Sequence, residues 1–269
     1  MNNSTRILVL LTVLVITCSL TAPASSIRQS SSLTPAQSAV EKQRQRLSAT
    51  DPEERRDALM QLWAMHRAEA SRVAAVGLTD ASPMVRAVAA KAILALGPEE
   101  SVAALTPLLG DKDEFVRREV AYALGQTKSR NATAALTQLL LNDKEDGVRA
   151  AAAVSLGEVG DESAVVTLAN VLSGDATGST KKKGKGERNV FVLRAVARSL
   201  GQTKSRAAVP ALITALTNEK FVDDIRREAA RSLGMIGDPA AVPALRAAAA
   251  SADPYLAQVA FESLRKLNP

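Results

Sequence analysis

A chain of 269 residues with a net charge of +6 holds a single histidine and a single cysteine, counts that argue against a multi-histidine metal centre or a disulfide framework. Only 3% of its residues are aromatic while alanine is plentiful. That composition suits helices approaching closely in stacked pairs better than a pocketed enzyme core.

At the N-terminus, Asn2, Asn3 and Arg6 precede an apolar run over residues 7–20 that ends at Ala22-Pro23-Ala24. The run is shorter than the roughly 20 residues a bilayer-spanning helix needs, and the small-x-small ending fits signal-peptidase cleavage. Residues 1–24 are therefore expected to be a signal peptide, leaving Ser25 as the first residue of an exported, periplasmic or extracellular chain without a transmembrane span. Cys18 opens an alternative, a lipoprotein anchored at that cysteine, although Thr17 stands where Gly, Ala or Ser is preferred. Ordinary cleavage removes the only thiol.

Residues 25–33, rich in serine, read as a flexible lead-in to a repeat domain over 34–269. Thr34-Pro35 then has the form of a helix N-cap followed by proline at the first helical position. From there the phrase Val-Arg-x-x-Ala-x-x-x-Leu-Gly recurs. Its arginine column runs Arg55, Arg86, Arg117, Arg149, Leu193, Arg226 and Ala257, at intervals of 31, 31, 32, 44, 33 and 31 residues. A period near 31 predicts an all-α, right-handed solenoid of about seven stacked helical hairpins. The expected pairs are 35–47 with 53–65, 68–78 with 82–96, 99–110 with 114–125, and 130–142 with 146–157. Three more complete the set: 161–173 with 189–201, 205–218 with 222–234, and 239–250 with 254–267.

In each second helix the apolar residues share one face, as Val116, Ala121 and Leu124 do. Gly125, Gly157, Gly201 and Gly234 are expected to stop these helices in a left-handed conformation. Ser129, Asp161, Ser205 and Asp238 are expected to cap the next first helix. An insertion at 174–189 accounts for the long interval; its Lys181, Lys182, Lys183, Lys185 and Arg188, against Glu187, carry most of the net positive charge. The remaining solenoid is nearly neutral, so electrostatic arguments are local.

These units resemble HEAT repeats, specifically the short HEAT-like repeats of phycobilin lyases, over about residues 35–267. The resemblance implies a ladder between neighbouring repeats, made by a turn aspartate and an arginine six residues on. Asp80 with Arg86, Asp111 with Arg117, and Asp143 with Arg149 match it, and Leu193 and Ala257 should break it. HEAT-like deoxyhypusine hydroxylase binds its di-iron centre through repeated His-Glu pairs; here His66 stands alone and precedes Arg67. A di-iron site, a Ser-His-Asp triad and a multi-histidine zinc site are not expected, nor is any cofactor. Trp63, in the column glycine occupies elsewhere, is expected to cover the open end of the stack.

Five residues past each register mark stand Met60, Lys91, Tyr122, Val154, Arg198, Arg231 and Glu262. One residue past it stand Arg56, Arg118, Arg194 and Arg227. Helix phase directs both columns to the concave side, where Lys91, Arg118, Tyr122, Arg194, Arg198, Arg227 and Arg231 form a candidate partner-binding surface. Glu119 and Glu228 lie close enough in the same helices to pair with these cations. The insertion is a second candidate, a mobile basic loop for a polyanion or an anionic envelope surface.

The expected function is an exported, non-enzymatic scaffold or adaptor that binds an acidic protein or peptide partner through its concave face. One alternative is a lyase-like or chaperone-like protein acting on a tetrapyrrole or modified polypeptide. Another is nucleic-acid or polyanion binding through the basic loop, with nucleic acid disfavoured by export.

Overall fold

The computed structural model describes residues 33–174 and 189–267. The expected signal peptide, nearly all of the lead-in and the charged part of the insertion lie outside the described residues. Among the described residues the chain forms fourteen α-helices and no strand. They alternate as seven hairpins: α1 (Pro35–Arg46) with α2 (Pro52–Ala64), α3 (Ala68–Ala74) with α4 (Pro83–Ala92), and α5 (Pro98–Leu105) with α6 (Glu114–Gln126). Next come α7 (Thr133–Asn142) with α8 (Asp146–Val159), and α9 (Val165–Ser173) with α10 (Val190–Thr203). The last two are α11 (Val209–Thr217) with α12 (Asp223–Ile236), and α13 (Val242–Ala249) with α14 (Pro254–Leu267). No helix among the described residues is long and apolar enough to cross a membrane.

Local chemistry starts each element. Thr34 and Gln37 close a capping box, the Gln37 amide donating to Thr34 Oγ1 at 3.3 Å and the Thr34 amide to Gln37 Oε1 at 3.0 Å. Ser129, Asp161, Ser205 and Asp238 accept from the amides of Asn131, Ser163, Ala207 and Ala240, each opening a 3₁₀ turn that feeds the next first helix. Leucines then join the layers. Leu105, Leu136, Leu168, Leu212 and Leu245 of the first helices and Leu62, Leu124, Leu156, Leu200 and Leu233 of the second are buried in one continuous cluster. Each contributes on the order of 2 kcal/mol of burial, and each depends on a neighbouring repeat to do so.

The motif glycines do not end their helices. Gly125, Gly157, Gly201 and Gly234 lie inside α6, α8, α10 and α12, and the left-handed residue comes three positions later, at Lys128, Gly160, Lys204 and Gly237. What requires glycine is close approach. A Cβ on Gly125, Gly157, Gly201 or Gly234 would stand 2.8, 2.9, 2.8 or 2.9 Å from the Cα of Ser155, Ser199, Ser232 or Ser263 in the next second helix. Two of these serines also reach back: Ser155 Oγ donates to the Ala121 carbonyl and Ser199 Oγ to the Ala153 carbonyl, both at 2.7 Å. Each Ser-Leu-Gly step thus touches the repeat before it with serine and receives the repeat after it on glycine. Ala121, Ala153, Ala197 and Ala230 complete this seam, all fully buried. α14 carries Phe261 and Arg265 where the preceding second helices carry alanine and glycine, and Phe261 is 58% exposed.

Trp63 and Leu94 occupy the glycine column in repeats one and two, and there charge supplies the tie. Arg55 grips Asp80 through Nε and Nη2 at 2.7 and 2.8 Å, Arg86 grips Asp111 at 2.7 and 2.8 Å, and Arg117 grips Asp143 at 2.7 and 3.1 Å. The partner of each arginine side chain is therefore the aspartate of the following repeat. Toward the aspartate six residues earlier, the arginine instead donates Nη1 to the backbone carbonyl: Arg86 to Asp80 at 2.8 Å, Arg117 to Asp111 and Arg149 to Asp143 at 2.9 Å. Arg149 also pairs with Asp146. Leu193 is buried in the core, and Arg226 donates to the Leu216 carbonyl at 3.1 Å.

Two of the forks lower the pKa of their acids. The Arg55 hydrogen bond holds the Asp80 carboxyl below the usual range, against the opposing effect of burial. Burial pushes Asp111 up, but Arg86 and the Asp113 amide outweigh it and leave that carboxyl lowered too. A lowered folded value means the native state binds these protons more weakly than the unfolded chain. The contribution of these two forks is complete above the unfolded carboxylate value of about 3.9 and disappears as pH falls through the lowered values.

Unfolding experiments separate these two ties. Gly201→Ala should destabilise by about 2 kcal/mol although alanine is the better helix former, whereas Gly147→Ala, which meets nothing within 4 Å, should stabilise by about 0.5 kcal/mol; urea melts giving the same sign for both would contradict the seam. Asp111→Asn should cost about 2 kcal/mol at pH 7, with the deficit relative to the native chain closing below about pH 4. A pH-independent deficit in thermal melts would show that the fork is not the cause.

Candidate functional site

The second helices approach one another at the glycine–serine seam, while the first helices stand apart. Clefts of about 410 Å³ open between α1 and α3, lined by Leu47, Arg72 and Val76 among others, and between the 3₁₀ extension of α5 and α7, lined by Leu109, Ala135 and Leu139 among others. A stack shorter along one row than along the other curves toward the shorter row. The second helices accordingly form the concave side, and the residues they turn away from the core line it.

The seven side chains of the candidate surface differ in how far neighbours have already engaged them. Lys91 Nζ pairs with Glu119 at 2.7 Å, and Arg118 lies 3.7 Å from the same carboxylate while its guanidinium sits 5.2 Å from the Phe115 ring centroid. Tyr122 is half-buried and packs on the core. Arg194 reaches Asp224 at 3.6 Å and lies over the Phe191 ring at 5.5 Å. Arg227 pairs with Asp224 at 3.1 Å and with Asp253 of the next repeat at 3.0 Å, and lies over Tyr255 at 5.3 Å. Arg231 pairs with Glu228 at 2.9 Å. Arg198 is exposed and carries no ion pair among the described residues.

The group is therefore not four equivalent free arginines. Arg227 is chiefly a structural tie, making between repeats six and seven the contact that Arg117 makes between three and four, with Asp253 held below the ordinary carboxylate range against the effect of burial. Arg194 and Arg231 are about half exposed and retain donors facing solvent. Arg198 is exposed and has no such contact among the described residues. Phe191 and Tyr255, 71% and 68% exposed, belong to this surface and were not singled out from the sequence. The signal was present for one of them: Phe191 stands three residues before Arg194, as Phe115 stands before Arg118, which places ring and cation on one helical face.

Elsewhere the candidates spread out. His66 is exposed, has a positive φ of 49°, and meets the Trp63 ring edge-on at 6.2 Å. Among the described residues no group of three or more His, Cys, Asp or Glu side chains is arranged to hold a metal ion. Lys181, Lys182, Lys183, Lys185 and Arg188 lie outside the described residues. The borders of their insertion are built: Gly174 closes α9 in a left-handed conformation, and Asn189 caps α10 by accepting from the Phe191 amide at 2.9 Å while donating to Asp146.

A family model described as HEAT repeats matches the chain over residues 40–125, 72–157, 113–181 and 187–265. No curated protein matches it. Among solved structures, the complex of CpcE and CpcF of phycocyanin lyase from Nostoc sp. PCC7120 is similar at 23% identity, covering 93% of this chain and 92% of that one with a TM-score of 0.49. Human deoxyhypusine hydroxylase is similar at 22% identity, covering 85% and 84% with a TM-score of 0.43. Kap121p is similar at 12% identity, covering 86% of this chain and 30% of its own length with a TM-score of 0.48.

Proposed function

Because this chain belongs to the HEAT-repeat family, with a stack whose concave row presents arginines and exposed rings, we propose that it is a non-enzymatic adaptor binding a segment of another polypeptide on that row. The observation that supports this most directly is the combination over repeats five to seven: Arg198 with no ion pair among the described residues, half-exposed Arg194 and Arg231, and the exposed Phe191 and Tyr255. Guanidinium forks suit carboxylates, and large exposed rings supply contact area at low entropic cost. Over repeats five and six Arg194, Arg198, Arg227 and Arg231 stand against Asp224, Glu228 and the Asp253 of repeat seven, so this part of the face favours an anionic segment without being strongly charged. The expected partner is an acidic stretch of polypeptide.

We also propose that the protein works outside the cytoplasm, on the strength of residues 1–24. Intact-mass measurement of protein recovered from its own cells should find Ser25 as the N-terminus; a retained Met1 would refute export by this route.

Selection of a random displayed-peptide library on the protein tests the adaptor reading. Enriched peptides should be acidic, and their affinity should fall at least about tenfold with Arg194→Glu and Arg198→Glu together, while Arg246→Glu on α13 leaves it unchanged. Arg227 is kept intact in the variant because of its tie to Asp253. Enriched peptides that bind both variants equally would remove the site from repeats five and six, and a library yielding no ligand while a bilin binds saturably would favour the tetrapyrrole alternative.

A further inference from the structure

The concave row is not uniform along its length. In repeat one, Met60 and Trp63 lie three residues apart on α2, each 45% exposed. In repeat three Tyr122 adds a half-buried ring to the same row. The cations of this stretch are engaged, Lys91 with Glu119 at 2.7 Å and Arg56 with Glu53 and Asp57. Repeats five and six present the reverse, with Arg194, Arg198 and Arg231 facing outward. Between the two stretches, α8 presents the small Gly147, Ala150 and Val154, and one turn beyond Val154 the exposed Glu158.

We propose that the row takes one extended polypeptide segment with two unlike ends: a large apolar or aromatic residue seated on Met60 and Trp63, and carboxylates on Arg194 and Arg198. This rests on the adaptor reading above and adds composition, length and a direction of polarity to it. Trp63 stands in the column that repeats three to six fill with glycine, and it is 45% exposed beside Met60. Methionine adapts its shape to varied partners, and tryptophan is enriched among the residues that carry most of the binding energy at interfaces. Gly147, Ala150 and Val154 let a main chain pass close to α8 between the two anchors, with Glu158 to one side near the end of the helix.

Geometry sets the length. Neighbouring helices in such a stack lie about 9 Å apart, so the four steps from repeat one to repeat five span about 36 Å. An extended chain advances about 3.3 Å per residue, which places the two ends of the ligand about 11 residues apart. Asp224, shared by Arg194 at 3.6 Å and Arg227 at 3.1 Å, is the acid that an incoming carboxylate competes with.

The test uses fluorescein-labelled synthetic peptides: Trp-Leu joined to Glu-Glu-Glu through a Gly/Ser spacer of about ten residues, the same ends with a spacer of about three, and each end alone on the long spacer. By fluorescence anisotropy the long-spacer peptide should bind at least about tenfold more tightly than either end alone and than the short-spacer peptide. Trp63→Ser, or Met60→Glu as an independent change at a second exposed position, should reduce it to the level of the acidic end alone. Arg194→Glu with Arg198→Glu should reduce it to that of the apolar end. Equal affinities for the long and short spacers, or indifference to both repeat-one variants, would overturn the two-ended ligand. If the acidic end still binds and is lost in the arginine variant, the adaptor reading stands without it. Failure of all four peptides alongside a library that yields no ligand would overturn both.

Discussion

Everything in this molecule depends on how closely one second helix can lie against the next. No central core exists to hold the stack, so each leucine layer is buried only if its neighbour arrives at the right distance. Two interactions set that distance, and they divide the chain between them. From repeat three onward, glycine opposite serine brings the backbones together, with Ser155 and Ser199 adding hydrogen bonds across the gap. In the first three repeats the arginine–aspartate forks do it, running from Arg55, Arg86 and Arg117 to the next repeat in each case. The two overlap at the contact between repeats three and four, so the stack has no junction between the two regimes that lacks a tie.

The same packing decides which charged residues remain for a partner. A guanidinium spent on a neighbouring repeat is ordered and partly desolvated, and withdrawing it leaves an aspartate without its counter-ion. Arg227 is in that position: its contact with Asp253 replaces the fork that the preceding column no longer supplies, since Arg226 is turned to the Leu216 carbonyl. Arg198, one turn of helix beyond Arg194, makes no such contact among the described residues. The difference between a structural and an available arginine lies in what stands across the inter-repeat gap, and residue type gives no hint of it.

The curvature has the same source. Glycine, alanine and serine shorten the second-helix row, while the first helices, with larger side chains and short 3₁₀ extensions, stand apart and leave clefts at α1–α3 and α5–α7. The exposed rings and arginines therefore converge on the shortened side, where one extended segment could touch several repeats together.

By itself the amino-acid sequence determined the repeat, its period, the number of hairpins and the apolar stripe of each second helix. Those are properties of spacing within one helix or one turn, and the caps at Thr34, Ser129, Asp161, Ser205 and Asp238 are equally local. Only the tertiary structure decided what the motif glycines and arginines are for. A glycine near a helix end is compatible with a left-handed stop, and Gly125 has that look until Ser155 is found against it, with the true left-handed residue at Lys128. An arginine six residues after an aspartate invites a pairing, yet Arg86 gives its fork to Asp111 and only a backbone bond to Asp80, because the aspartate carboxylate it reaches belongs to the next repeat. Contacts within a helix are encoded by spacing alone; contacts between repeats depend on the distance and phase at which two helices meet, and those exist only once the stack has formed.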